Sequence, residues 1–440
     1  MPLGIFEIND AGIQTTIDGD IVNVSPGYAV LDGEKLLIGE EGMANSRLLP
    51  RWTNNRFWNE LGTDPITGQT ANIRHHADLA FAHLESLWQS VRGQVDEVVF
   101  IVPGFYSREQ LGLLLGMAQE CDMPVAGIVD NALVSVCQQP LTPTTLHLEI
   151  YLHRITLTAL SADGRLAQRE TQTVTETGLF TLWDRWANVI ANQFIQASRF
   201  DPLHQAVSEQ KLFDRLPDWI QNLRTNRGNT FDLHVGEVNH SVAVSSEQLM
   251  KACARIYPLI VQDIRSLVPA GEIANLYISH RFRGFPGFED SLQLLNNVRL
   301  FWLERNHTIN GALAHKDKIV SGSDAVSHVV NLPIEGAQQS RSVSRSAGRP
   351  THMLSGNHAT AIGTSFKLGA NLNDGISEDL DNPVAVLYPR GDKLIIEVRD
   401  NERVKVNDQR VDQEISLAAG DRFTIDGHEI TLISVSKDGR

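Results

Sequence analysis

Residues 96–136 read DEVVFIVPGFYSREQLGLLLGMAQECDMPVAGIVDNALVSV. Within them VVFIV (98–102) is an apolar run rich in β-branched residues that stops at Pro103-Gly104, which predicts a buried strand ending in a turn. Ser107 and Gln110 have capping-box spacing, and Leu111, Leu114, Leu115 and Ala118 follow as one apolar stripe, so a helix starts here. A second apolar run, 125–129, ends at Asp130-Asn131. Strand, turn, helix and strand in this order build a mixed or parallel sheet with helical layers.

Working outward, residues 3–8 predict a strand that turns at Asn9-Asp10-Ala11-Gly12, with 14–17 returning antiparallel. Helices are expected over 70–91, with Ile73, Ala77, Phe81, Leu84 and Trp88 on one side, over 178–200, and over 246–268 with a kink near Pro258. Residues 275–279 read as a buried strand. Trp183, Trp186, Phe194 and Phe200 have helical spacing and read as core, while His75, His76 and His83 lack the spacing for a shared metal and read as surface or capping groups. Residues 336–350 are a Ser/Arg-rich linker without apolar periodicity. Beyond it, 351–440 is a set of short strands divided by turn dipeptides, an all-β domain.

The 440 residues carry 38 basic and 53 acidic side chains, a balance of −15 that argues against nucleic acid and anionic membranes as general partners. Three cysteines are too few for a disulfide framework or a thiolate metal site. No run approaches the roughly 20 apolar residues that span a bilayer. MPLGIFEIND lacks a basic n-region followed by an apolar core, so no signal peptide and a cytoplasmic location are expected.

The stretch VPGF, helix, then Asp130-Asn131-Ala132 resembles the ATPase domain shared by heat-shock chaperones and actins, over about residues 1–335. The resemblance implies a two-lobed, ribonuclease-H-like α/β fold built of two related halves with ATP between them. Two β-hairpins with Gly-rich turns would wrap the phosphates through backbone N–H groups, since a Cβ there would collide with phosphate oxygens. Asp10 and Gly12 match the first hairpin, with Ile13 where a hydroxyl is usual. In the second, Glu149 falls on the metal-organising acid, and Tyr151, Leu152 and His153 fall on the glycines. Glu149 then reads as a residual metal contact or as a half-buried edge residue. At the adenosine turn the Pro286-Gly287 end is kept, but the glycine pair has become His280-Arg281. Arg281 and Arg283 read there as surface arginines or as anion binders. Asp130 takes the place of the catalytic or water-positioning acid, which leaves Asp10, Asp130 and Glu149 as the residual catalytic candidates.

Within 351–440, Val406-Asn407-Asp408-Gln409-Arg410-Val411 and Leu417-Ala418-Ala419-Gly420-Asp421-Arg422 resemble a forkhead-associated domain, a small β-sandwich that binds phosphothreonine. Ala370 follows Leu368-Gly369 where that family has its phosphate-binding Arg, and residues 380–385 lack its Ser-Arg-x-His stretch.

The expectation is a non-catalytic, cytoplasmic relative of these ATPases that serves as a scaffold for other proteins, with no cofactor and no metal. The alternative is a divergent, chaperone-like or filament-forming ATPase. It would hold ATP and magnesium through Asp10, Asp130 and Glu149, with Gly12, Gly284 and Gly287 shaping the nucleotide turns.

Overall fold

A computed structural model describes residues 2–33, 35–66, 72–225, 228–320, 326–334, 350–355, 358–363, 365–369, 383–390, 393–400, 403–406, 409–410, 414–417, 421–425 and 428–433. The chain is mixed α/β and divides into two compact units, Met1–Ile334 and Glu335–Arg440. The linker up to Gly348-Arg349, the helix start at Thr70, Ala370, residues 380–382, Asn407-Asp408 and Ala418-Ala419-Gly420 lie outside the described residues.

The first unit holds two six-stranded sheets with the same internal plan. In the first, β1 (Leu3–Glu7), β2 (Ile13–Ile17) and β3 (Asp20–Ser25) form an antiparallel meander. On the other side of β1, β4 (Glu97–Val102) and β5 (Val125–Asp130) add parallel. In the second, β6 (Thr145–Ile150), β7 (Arg154–Asp163) and β8 (Arg165–Thr175) form the meander. Here β9 (Ala274–Ile278) and β10 (Val298–Trp302) add parallel beside β6. Both central strands are buried throughout, as expected of strands covered on both faces.

Helix α1 (His76–Gln89) begins where the Asp78 carboxylate accepts from the backbone N–H of Arg74 and His75, six residues later than its apolar periodicity suggests. His83, on its inner face, is 1% exposed and bonded to Ser25 and Trp58, so it is a core histidine and not a surface or capping group. Helix α2 (Arg108–Glu120) starts with the Ser107/Gln110 capping box and buries Leu111, Leu114 and Ala118. Helix α3 (Asn131–Val136) follows β5 directly, and α4 (Leu179–Ser198) ends with Arg199 in the left-handed region at φ 59°. Helix α5 (Ala206–Arg224) follows. The stretch expected as one kinked helix is two, α6 (Ser246–Ala252) and α7 (Tyr257–Leu267). Pro258 sits in the first turn of α7, where its missing N–H costs no helical bond. Helix α8 (His307–Ala314) follows β10 as α3 follows β5, and α3 and α8 pack on each other. Leu133, Val134, Ile309 and Ala312 join residues of both sheets, among them Ile5, Val99, Leu160 and Tyr277, in one buried cluster.

In the second unit the described strands form two antiparallel sheets, one ordered 352–355 beside 358–361 and 428–433, then 422–425, 404–406 and 409–410. The other pairs Phe366–Leu368, Ala385–Arg390, Lys393–Val398 and Glu414–Leu417. Alternate residues of both sheets, including Met353, Phe366, Leu387, Ile396, Phe423 and Ile430, share one core.

Candidate functional site

The two hairpin turns of the first unit meet. After β1, the Asn9 side chain accepts from Ala11 N–H, and the Gly12 N–H donates to the Asn9 carbonyl. Asn9 Nδ2 reaches across to the carbonyl of Ile150 at 3.1 Å, and Asp10 Oδ1 accepts from the backbone N–H of Leu152 at 2.8 Å. Tyr151, Leu152 and His153 are all buried in the second turn. The Tyr151 ring packs edge-on to Phe105, the aromatic of the VPGF stretch. Their carbonyls are also used: Tyr151 and Leu152 accept from the N–H groups of Leu179 and Phe180 at the start of α4. The N–H groups of Ala11, Gly12, Tyr151 and Leu152 are likewise bonded within the protein.

Between the turns lies Arg281, with only 9% of its side chain exposed. Its Nη1 is 3.0 Å from Glu7 Oε1 and 3.4 Å from Glu149 Oε2, and its Nη2 donates to the Gly12 carbonyl at 3.2 Å. Glu7 also accepts from Gln14 Nε2 at 2.9 Å and from Asn131 Nδ2 at 3.4 Å. Glu149 accepts from the backbone N–H of Ile150 at 2.8 Å. Arg281 is thus no surface arginine, and Glu149 is no half-buried edge residue: it stands on the central strand of its sheet, 2% exposed. One cation faces two carboxylates, so the set is neutral when one carboxyl holds a proton. Burial pushes Glu149 up to about 7, with Arg281 opposing and the Glu7 carboxylate adding to the rise. Burial works against the Arg281 charge and is outweighed by Glu7 and Glu149, which hold it above its usual value.

The other expected site residues have structural partners. Asp130 caps α3, its Oδ1 accepting from Ala132 N–H at 2.9 Å and Leu133 N–H at 3.4 Å, and burial raises it to about 6. Burial likewise raises Asp10 to about 6. Gly284 (φ 91°) and Gly287 (φ 71°) are turn glycines. A Cβ on Gly287 would fall on the Met250 side chain. They line a cleft of about 580 Å3 with Arg224, Glu289 and Trp302, whereas Gly12 lines a different cavity, of about 330 Å3, beside Arg281. Asp10, Glu149 and Gly12 come together; Asp130, Gly284 and Gly287 serve neighbouring turns.

ATP with magnesium does not fit these residues. Three large side chains and an ion-paired Arg281 occupy the positions where the resemblance would put the phosphates and the adenosine, and the N–H groups of Ala11, Gly12, Tyr151 and Leu152 are already bonded. Sequence reasoning missed Glu7 and Gln14, which face each other in register on β1 and β2. Their signal was an acid closing the otherwise apolar, buried strand β1 and an amide at a buried position of β2. Further polar contacts join the same two halves. Arg47 pairs with Asp184 at 2.6 Å and Glu209 at 3.3 Å and lies over the Phe213 ring, and Arg56 pairs with Glu176 at 2.8 Å.

Comparison of the sequence with protein-family models and with curated proteins gives no match. Among the described residues no helix is long and apolar enough to cross a membrane.

Proposed function

We propose that the protein is a non-catalytic, cytoplasmic relative of the actin and heat-shock ATPases that works as a scaffold for other proteins. The duplicated sheet plan supports descent from a fold of two related halves. The observation that carries the reading is the Glu7–Arg281–Glu149 set: an internal cation ties both hairpins together where the family resemblance places nucleotide. A cleft closed this way has no ligand-driven opening and closing, which leaves the outer surface and the forkhead-associated-like tail for recognition. The balance of −15 favours partners with basic patches and association that slows with salt. Thermal melts with and without millimolar magnesium-ATP test the reading. The expected result is no shift; at ligand a hundredfold above Kd a binder would gain about 2.7 kcal/mol and melt a few degrees higher. A shift of that size would overturn the reading.

A further inference from the structure

The cavity of about 330 Å3 beside Arg281 has a composition unlike the rest of this acidic chain. Its walls are apolar and aromatic, from Trp183 and Trp186 of α4, Ile220 of α5 and Phe285. Three arginines line it, Arg281, Arg283 and Arg305, and no aspartate or glutamate does. Arg281 is committed to Glu7 and Glu149, and Arg283 pairs with the exposed Glu304 at 2.9 Å. Arg305 is exposed and makes no ion pair among the described residues. His280, also in the lining, is held neutral, because burial and the neighbouring arginines lower it to about 3. Gln14 supplies the remaining polar feature. It is 1% exposed, its Nε2 is used by Glu7, and among the described residues its Oε1 has no hydrogen-bond partner. That oxygen is closed off from the cavity as well as from solvent, so it is not a ligand contact.

We propose that this cavity binds a small aromatic carboxylate. The carboxylate meets Arg305, assisted by Arg283, and the ring lies against Trp183 and Phe285. A guanidinium facing a carboxylate gives the strongest of these contacts, and the aromatic walls favour a flat ring over an aliphatic chain. The volume lies at the low end of ligand pockets, roughly 300–1,000 Å3, so one or two rings fit and a nucleoside triphosphate does not. An inorganic anion would leave the apolar walls uncovered. The inference stands on the lining of this cavity and does not need the scaffold reading.

Isothermal titration of the full chain with 3-(4-hydroxyphenyl)propionate tests it, beside 3-phenylpropionate, 3-(4-hydroxyphenyl)propionamide and AMP. The expected result is saturable binding of the first with Kd on the order of 1 mM or tighter. The uncharged amide and the Arg305→Gln variant should each weaken it about tenfold, and loss of the hydroxyl should change it little. Arg305→Gln should melt with the wild type, since Arg305 makes no ion pair among the described residues. A Trp183→Ala variant should lose binding as well. Absence of saturable binding, or equal binding by the amide and by Arg305→Gln, overturns this inference alone. Tighter binding of AMP than of the phenol acid overturns it and the nucleotide-free reading together.

Discussion

Gly311 of α8 lies so close to the carbonyl oxygen of Val134 in α3 that a Cβ built on it would fall onto that oxygen. The nearness lets the two equivalent helices seal the joint between the sheets, with Ser135 and Thr308 hydroxyls 3.3 Å apart beside it. Gly311→Ala should therefore destabilise the protein by about 1–3 kcal/mol, because a backbone carbonyl cannot move aside as a flexible side chain can. Gly112 on α2 provides the matched control: nothing lies within 4 Å of its Cβ position. Gly112→Ala should stabilise by about 0.5–1 kcal/mol, the gain for alanine in an open helix interior. Denaturant unfolding of both variants checks the pair, and equal effects would mean that the helix joint is not tight.

Removing the cation tests the buried network. Arg281→Met leaves Glu7 and Glu149 facing each other without compensation and should cost about 3–5 kcal/mol. The triple variant Arg281→Met, Glu7→Gln, Glu149→Gln removes all three charges and should regain most of that loss. The single variant should also be more sensitive to alkaline pH. Glu149 is raised by burial to about 7 in the folded protein, so the stability linked to its proton is complete below the usual carboxylate range and is lost as pH rises through 7. Without Arg281 the loss should be larger. Equal pH profiles for wild type and Arg281→Met would exclude the assigned role.

The second unit should fold alone when residues 350–440 are expressed. Phe423 is fully buried at the centre of its core, among Leu394, Ile396, Val404 and Ile430. Phe423→Ala should cost about 3–5 kcal/mol, a large share of what a unit of this size holds. Circular dichroism should show a β-rich, cooperatively melting fragment whose transition disappears in the variant. A fragment without a cooperative transition would place the boundary elsewhere.

Much of the fold was legible in the sequence because its signals are local. The Ser107/Gln110 cap, the apolar strands 98–102 and 125–129, and the turn at Asn9–Gly12 each act within a few residues. What eluded reading was long-range. Arg281 reads as a surface cation until the fold brings Glu7 and Glu149, 274 and 132 residues away, to its guanidinium. Glu149 reads as an edge residue because periodicity shows alternation and not which strand is central. His83 follows the same rule: nothing near it in sequence announces Ser25 and Trp58. At 246–268 the apolar spacing carries through the break between α6 and α7, so periodicity alone joins two helices into one.

His83 gives a prediction whose sign can be worked out from its partners. The Trp58 indole N–H can only donate, so His83 Nδ1 is the acceptor of that 3.0 Å bond, and the ring proton sits on Nε2, directed to Ser25 Oγ at 2.7 Å. Protonating Nδ1 would turn two donors against each other, and burial lowers the group from 6.5 to about 3. Between those values the unfolded chain takes up a proton that the folded chain refuses. The stability linked to His83 is therefore whole above pH 6.5 and is lost as pH falls toward 3. His147 and His280, lowered to about 3, and His153, lowered to about 4, act in the same direction. Asp10 and Asp130, raised to about 6, act in the opposite one, so the total curve mixes both slopes. His83→Gln isolates the single group, since a glutamine amide can accept from Trp58 and donate to Ser25 without titrating. Wild type should be the more stable at pH 7, and its advantage should shrink by on the order of 2 kcal/mol by about pH 4.5, at roughly 1.4 kcal/mol per pH unit reduced for partial titration. Paired denaturant titrations at the two pH values measure the difference, and an advantage that stays constant would show that His83 is not held neutral by its buried partners.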